Sequence, residues 1–154
     1  PAPRCRTIFT YWKRNAPASM LAVFDPADRN ICTVDVKRTN TPLQALTTLN
    51  EKGLTEYAGA FAQRVLSTVE GDNDARLVFA FRTVTGAKPT PAELKVLRRA
   101  LDHYQRDFAA DEARAAALLE AARIEPKDYS AADLAAWTTL ANVLFNMDRT
   151  LTRE

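Results

Sequence analysis

Thr90-Pro91-Ala92-Glu93-Leu94-Lys95-Val96-Leu97-Arg98-Arg99-Ala100-Leu101-Asp102-His103-Tyr104-Gln105-Arg106-Asp107-Phe108 decides the fold class. Threonine followed three residues later by glutamate is a capping box, in which each side chain satisfies an amide that the first helical turn leaves unpaired. Pro91 sits at the first helical position, where its missing N–H is no loss. Beyond it Leu94, Leu97, Leu101, Tyr104 and Phe108 recur every three or four residues and trace one stripe. The spacing predicts a helix over 91–108 with one apolar face to bury.

Upstream, the same period appears twice more. Asn40-Thr41-Pro42 offers a cap and a starting proline near residue 41, and Leu43, Leu46 and Leu49 then predict a helix with a leucine face turned to the core. The stretch 50–53 interrupts the pattern before Leu54, Tyr57, Phe61, Val65 and Val69 resume it. Gly71-Asp72-Asn73-Asp74 is a turn able to cap a helix over 75–85. Leu77, Val78, Phe79 and Phe81 are apolar nearly all round that helix, as suits an element buried on several sides, and Gly86 ends it.

Downstream, the Ala-rich 112–122 segment has high helix propensity and few large apolar groups, so it either continues the preceding helix or forms a separate exposed one. A connector containing Pro126 leads to Ser130 and, three residues on, Asp133, which resemble the capping box. From there Leu134, Trp137, Ala141, Leu144 and Leu151 predict a closing amphipathic helix. The expected fold is mainly α, an irregular bundle of five or six helices over 41–154. Residues 1–40 differ: Thr7–Trp12 and Ile31–Val36 are rich in β-branched and aromatic residues, with turn chemistry at Asp25-Pro26 and Asp28-Arg29-Asn30. They are expected to form an extended arm with room for short strands, packed on the helices as part of one structural domain.

At 154 residues the chain is long enough for one sizeable core, and its 47% hydrophobic and 26% charged residues are those of a folding chain. The 21 basic and 19 acidic side chains are interspersed, for a net charge of +2. No strong positive field develops, which argues against nucleic acid as a partner. No apolar run approaches the roughly 20 residues of a membrane span. The chain opens without Met on Pro1-Ala2-Pro3-Arg4-Cys5 and reads as a processed or excised piece with its targeting information upstream. Cys5 and Cys32 leave two arrangements open. One is a buried thiol beside a terminal one; the other is a disulfide closing a loop of about 27 residues, worth roughly 3–4 kcal/mol.

No catalytic, cofactor or metal set is complete. Covalent haem attachment needs two close thiols and a following histidine, whereas the two cysteines lie far apart and His103 is the one histidine. His103 shares a polar helix face with Arg99 and Asp107 and reads as solvated rather than as a ligand with Met147. Asp107, Asp111 and Glu112 read as a solvated acidic face countered by Arg106 and Arg114, not as a cation site. No serine stands in a Gly-flanked turn that would make it a nucleophile. Asp25 and Asp28 are a carboxylate pair, best read as turn formers.

The most unusual stretches are Trp12-Lys13-Arg14, Asp25-Pro26-Ala27-Asp28-Arg29 and Arg38-Thr39-Asn40-Thr41-Pro42-Leu43-Gln44-Ala45-Leu46. One reading is a polar network in which arginines hold loop carbonyls and carboxylates. The other is a groove for an anionic or carbohydrate group, with Arg38 as a fork donor, Trp12 as a stacking face, Asn40 as a polar contact, and Asp25, Arg29 and Gln44 beside them.

These stretches, with Ser19-Met20-Leu21, Cys32-Thr33-Val34, Ala80-Phe81-Arg82-Thr83-Val84-Thr85-Gly86 and residues 136–146, resemble the C-terminal domain of unknown function of the planctomycete cytochrome-c-like proteins. The likeness spans about residues 6–153, and its most specific piece is Arg38–Leu46. It implies an extracytoplasmic location, with haem c held in an upstream segment and none in this chain. It also implies that upstream domains or fragments of the same precursor are the natural partner. It supplies no catalytic residues. The expected function is therefore a non-enzymatic scaffold or interaction domain, the alternative being a carbohydrate- or anion-binding module around Arg38.

Overall fold

The capping box at Thr90 forms as its sequence predicts. In the computed structural model, which describes residues 22–24 and 40–151, the Thr90 N–H donates to Glu93 Oε2 at 2.6 Å and the Glu93 N–H to Thr90 Oγ1 at 3.3 Å. Seven helices run through the described residues: α1 Pro42–Asn50, α2 Lys52–Thr68, α3 Asn73–Thr85, α4 Pro91–Ala110, α5 Glu112–Ala122, α6 Ala131–Phe145 and α7 Asp148–Leu151. No strand occurs among the described residues, and the segments expected to hold short strands, 7–12 and 31–36, lie outside them.

The helix boundaries follow from caps. Glu51, with extended backbone, both ends α1 and caps α2, where its carboxylate accepts from the Gly53 and Leu54 amides. Asp72 caps α3 by accepting from Ala75, and Gly86 closes it with φ 77°, a left-handed turn that favours a residue without Cβ. Asp111 answers the question left open by the Ala-rich segment. Its backbone leaves the helical region at φ −138° and ψ 82°, and its carboxylate accepts from Arg114, so α5 starts afresh instead of prolonging α4. Separation of α5 and the short α7 account for seven helices among the described residues, a helical bundle as expected with one helix more than the five or six read over 41–154.

The core differs in its centre from the sequence expectation. α3 was the element expected to be buried on several sides, yet it hides Leu77, Ala80 and Phe81 and leaves Val78 and Phe79 half-buried. The surrounded element is α6, expected to be amphipathic. It buries Leu134, Ala135, Ala136, Trp137, Thr138, Leu140, Ala141 and Leu144 and touches all six other helices. Its alanines present apolar surface on every side, while the buried Thr138 hydroxyl donates to the Leu134 carbonyl at 2.7 Å within the helix. Leu151 belongs to α7 instead of prolonging this helix. α4 lays Leu97, Leu101 and Phe108 against α6, the stripe read from sequence.

α2 and α5 approach closely through small residues. A Cβ on Gly59 would stand 2.7 Å from Ile124 Cδ1 and 3.0 Å from Ala122 Cβ. Arg123 takes the left-handed conformation at φ 53° to close α5, and its guanidinium pairs with Glu56 of α2 at 3.3 Å. The turn brings Ile124 back over α2, where Gln63 Nε2 also donates to the Glu125 carbonyl at 2.9 Å.

The cap of α4 has a pH signature. The Thr90 amide and then the Thr90 hydroxyl favour ionised Glu93, Arg149 adds a smaller attraction, and together they hold this carboxyl below its ordinary value despite partial desolvation. A depressed folded-state pKa contributes stability that is present above the unfolded carboxylate value, about 4.3, and is lost as pH falls through the depressed one. Thermal melts between pH 6 and 2.5 are therefore expected to show the wild type losing melting temperature more steeply in acid than Glu93→Gln, the difference closing at the lowest pH. Parallel pH profiles would refute this.

Candidate functional site

The most specific sequence run, Arg38–Leu46, leads into α1, and the polar bonds of that helix determine what it can offer. Thr41 caps it in a second capping box: the Gln44 amide donates to Thr41 Oγ1 at 3.3 Å, and Gln44 Oε1 accepts from the Thr41 amide at 2.8 Å. Gln44 Nε2 donates to the Val23 carbonyl at 3.0 Å, which joins the Ala22–Phe24 stretch to the first turn of α1. One turn on, the Thr48 hydroxyl donates to the Gln44 carbonyl at 2.8 Å. Gln44 and Thr48 are 3% and 2% exposed, so the inward face of α1 is polar.

Its leucines point the other way. Leu43, Leu46 and Leu49 are 59%, 58% and 41% exposed, a correction to the expectation that they face the core. The geometry is that of a regular helix: at about 100° per residue the three leucines occupy an arc of roughly 120°, and Gln44 and Thr48 lie opposite its centre. The inward side is fixed by hydrogen bonds at both ends. Asn40 Nδ2 donates to Asp148 Oδ1 of α7 at 2.9 Å, and Asn142 Nδ2 of α6 donates to the Leu49 carbonyl at 3.3 Å. α1 thus docks through side-chain amides and presents aliphatic surface outward.

Of the residues singled out from sequence, Asn40 and Gln44 are brought to this place, with their amide groups bonded to protein atoms. Trp12, Asp25, Arg29 and Arg38 lie outside the described residues, as do Cys5, Cys32 and Asp28. His103 is exposed beside Asp107 at 3.4 Å, and Asp111 is engaged as a cap. Among the described residues no group of three or more His, Cys, Asp or Glu stands together in a way that could hold a metal ion, and no helix is long and apolar enough to cross a membrane. The outward leucines were missed as surface residues because periodicity reveals that a face exists and not which way it turns. The available signal was the pair Gln44 and Thr48, spaced one turn apart and each able to satisfy its polar atoms when buried, Gln44 on the Val23 carbonyl and Thr48 on its own helix.

The family model described as PSD1, protein of unknown function (DUF1553), matches residues 2–101. This covers α1 to α3 and the first half of α4. No curated protein and no solved structure matches the chain.

Proposed function

We propose a function from one premise: the chain belongs to the PSD1 family of proteins of unknown function. Our reading is a non-enzymatic helical interaction module in which the outward face of α1 binds another part of the same precursor. The observation that supports it is the reversed amphipathicity of α1, with Leu43, Leu46 and Leu49 exposed and Gln44 and Thr48 buried. A helix held inward by polar bonds and showing three leucines to water gains from a covering partner. Burial of the remaining leucine surface would contribute roughly 3 kcal/mol in total, modest by itself and useful as the centre of a larger interface. The resemblance of Arg38–Leu46 to the planctomycete cytochrome-c-like proteins supports an extracytoplasmic setting, with haem c carried by the upstream partner and electron transfer as its context.

The test mixes this chain with the upstream portion of its precursor under size-exclusion chromatography with light scattering. A complex at micromolar concentration is expected, weakened at least tenfold by Leu46→Asp with the helical circular dichroism intact. Absence of a complex at tens of micromolar, or equal association by the variant, would remove this reading. The alternative, a carbohydrate- or anion-binding module around Arg38, predicts instead a ligand whose thermal stabilisation of the chain disappears in Arg38→Ala.

A further inference from the structure

The Ala80-Phe81-Arg82-Thr83-Val84-Thr85-Gly86 run has a structural task for nearly every residue. Ala80 and Phe81 are buried in the core and Val84 packs against it. Thr83 and Thr85 donate their hydroxyls to the Phe79 and Phe81 carbonyls, and Gly86 closes α3. Arg82 is the exception. No hydrogen bond or ion pair of its guanidinium ties it to the described residues, whereas Arg98 pairs with Asp74, Arg123 with Glu56 and Arg149 with Glu93.

Arg82 lines an open groove of about 550 Å³ where the end of α2 meets α3. Val69, Ala75, Val78 and Phe79 give it aliphatic and aromatic surface, with Thr83 and Gly86 completing the lining. Arg76 holds the corner by donating from Nε to the Val69 carbonyl at 3.1 Å. The volume falls within the roughly 300–1,000 Å³ of ligand clefts, but the groove is open to solvent, which suits a segment laid across it better than an enclosed small molecule.

We propose that this groove docks a protein segment carrying one carboxylate beside aliphatic side chains. Charge complementarity supplies the choice. A guanidinium without an acidic partner among the described residues presents a planar fork of donors that matches a carboxylate, and Val69, Ala75, Val78 and Phe79 beside it offer apolar side chains in a lining of mixed character. A sugar would ask for several donors and acceptors around an open aromatic face, and here the Thr83 hydroxyl is already donating to its own helix. A phosphate group would be better served by more than one lining cation. The groove is separate from the leucine face of α1, so the inference stands or falls independently of the proposed function.

The experiment titrates the full ¹⁵N-labelled chain with an acetylated, amidated octapeptide whose single Glu is flanked by Leu and Ile, and in parallel with its Gln counterpart, sodium hexanoate and cellohexaose. The Glu peptide is expected to shift the amides of Val69, Val78, Phe79, Thr83 and Gly86 and to bind roughly fivefold tighter than the Gln peptide, the size of one solvated charge pair. Arg82→Gln should abolish that difference and lower the thermal midpoint by no more than a few degrees, because among the described residues the native guanidinium has no hydrogen bond or ion pair to lose and gives up only its attraction to the end of α3. Equal affinity of the two peptides, shifts confined to other amides, or no shift at millimolar peptide would overturn the proposal. So would hexanoate or cellohexaose reproducing the shifts at matching concentration, or a change in oligomeric state in Arg82→Gln, which would assign the groove to a second copy of the chain.

Discussion

Phe81→Ala is expected to lower the stability of the chain by about 3–5 kcal/mol, the range of a fully buried aromatic truncated in a core that cannot collapse around the vacancy. Phe81 is completely buried on α3, and the Arg149 guanidinium lies 6.0 Å from its ring centroid. The helices around it have other anchors: α3 is bound to α4 by Arg98 and Asp74, and α6 packs on α2 and α4. Those attachments hold the walls apart when the ring is removed, so the cavity persists. In a chain of this length such a loss corresponds to a fall in thermal midpoint on the order of 10 °C or more. Urea unfolding of the wild type, Phe81→Leu and Phe81→Ala measures it directly. A loss below about 1 kcal/mol for the alanine variant would mean that the ring does not fill the core as described.

Gly59→Leu is the second large effect, a loss of about 2–3 kcal/mol through overpacking. Any Cβ at this position meets Ile124 and Ala122, and a branched side chain would have to lift α5 from α2 or displace the turn at Arg123. Gly59→Ala is expected to fall within about 1 kcal/mol of the wild type, because a gain of about 1 kcal/mol in helix propensity offsets a clash that the movable end of Ile124 can relieve. The double variant Gly59→Leu with Ile124→Ala should recover part of the loss, and denaturant midpoints report all of these. A leucine variant as stable as the wild type would show that α2 and α5 are not in close approach here.

Local features of the fold were legible where two signals coincided. α4 combines a capping box, a starting proline and a stripe of large residues, and all three recur in the structure. α6 carries a clear cap too, but its large apolar residues are interspersed with five alanines. Alanine reads as neutral in a pattern search, whereas in space it allows neighbouring helices to come near from every direction. The burial of Ala122 at the end of α5 was hidden as well, since it depends on the missing side chain of Gly59 far away in the sequence. α1 shows the converse error. Its leucines were plain, but the side facing inward is decided by hydrogen bonds of Gln44 to Val23, of Asn40 to Asp148 and of Asn142 to Leu49. Asn40 and Gln44 were picked out as polar residues in an unusual run, and the structure gives their amides protein partners. Arg82 gives no signal within its run of sequence, because a lone arginine acquires meaning only once a cleft is seen beside it.

The placement of α6 has a consequence for biosynthesis. A polypeptide leaves the ribosome N-terminus first, at roughly 5–20 residues per second, and the segment that the other described helices lean on emerges after all of them but α7. Until residue 145 has emerged, the earlier helices have no common hub to gather on, and the apolar sides of α2 and α4 stay available to chaperones or to neighbouring nascent chains. A premature stop before residue 131 therefore yields no smaller working unit, only a set of helices whose shared support was never made.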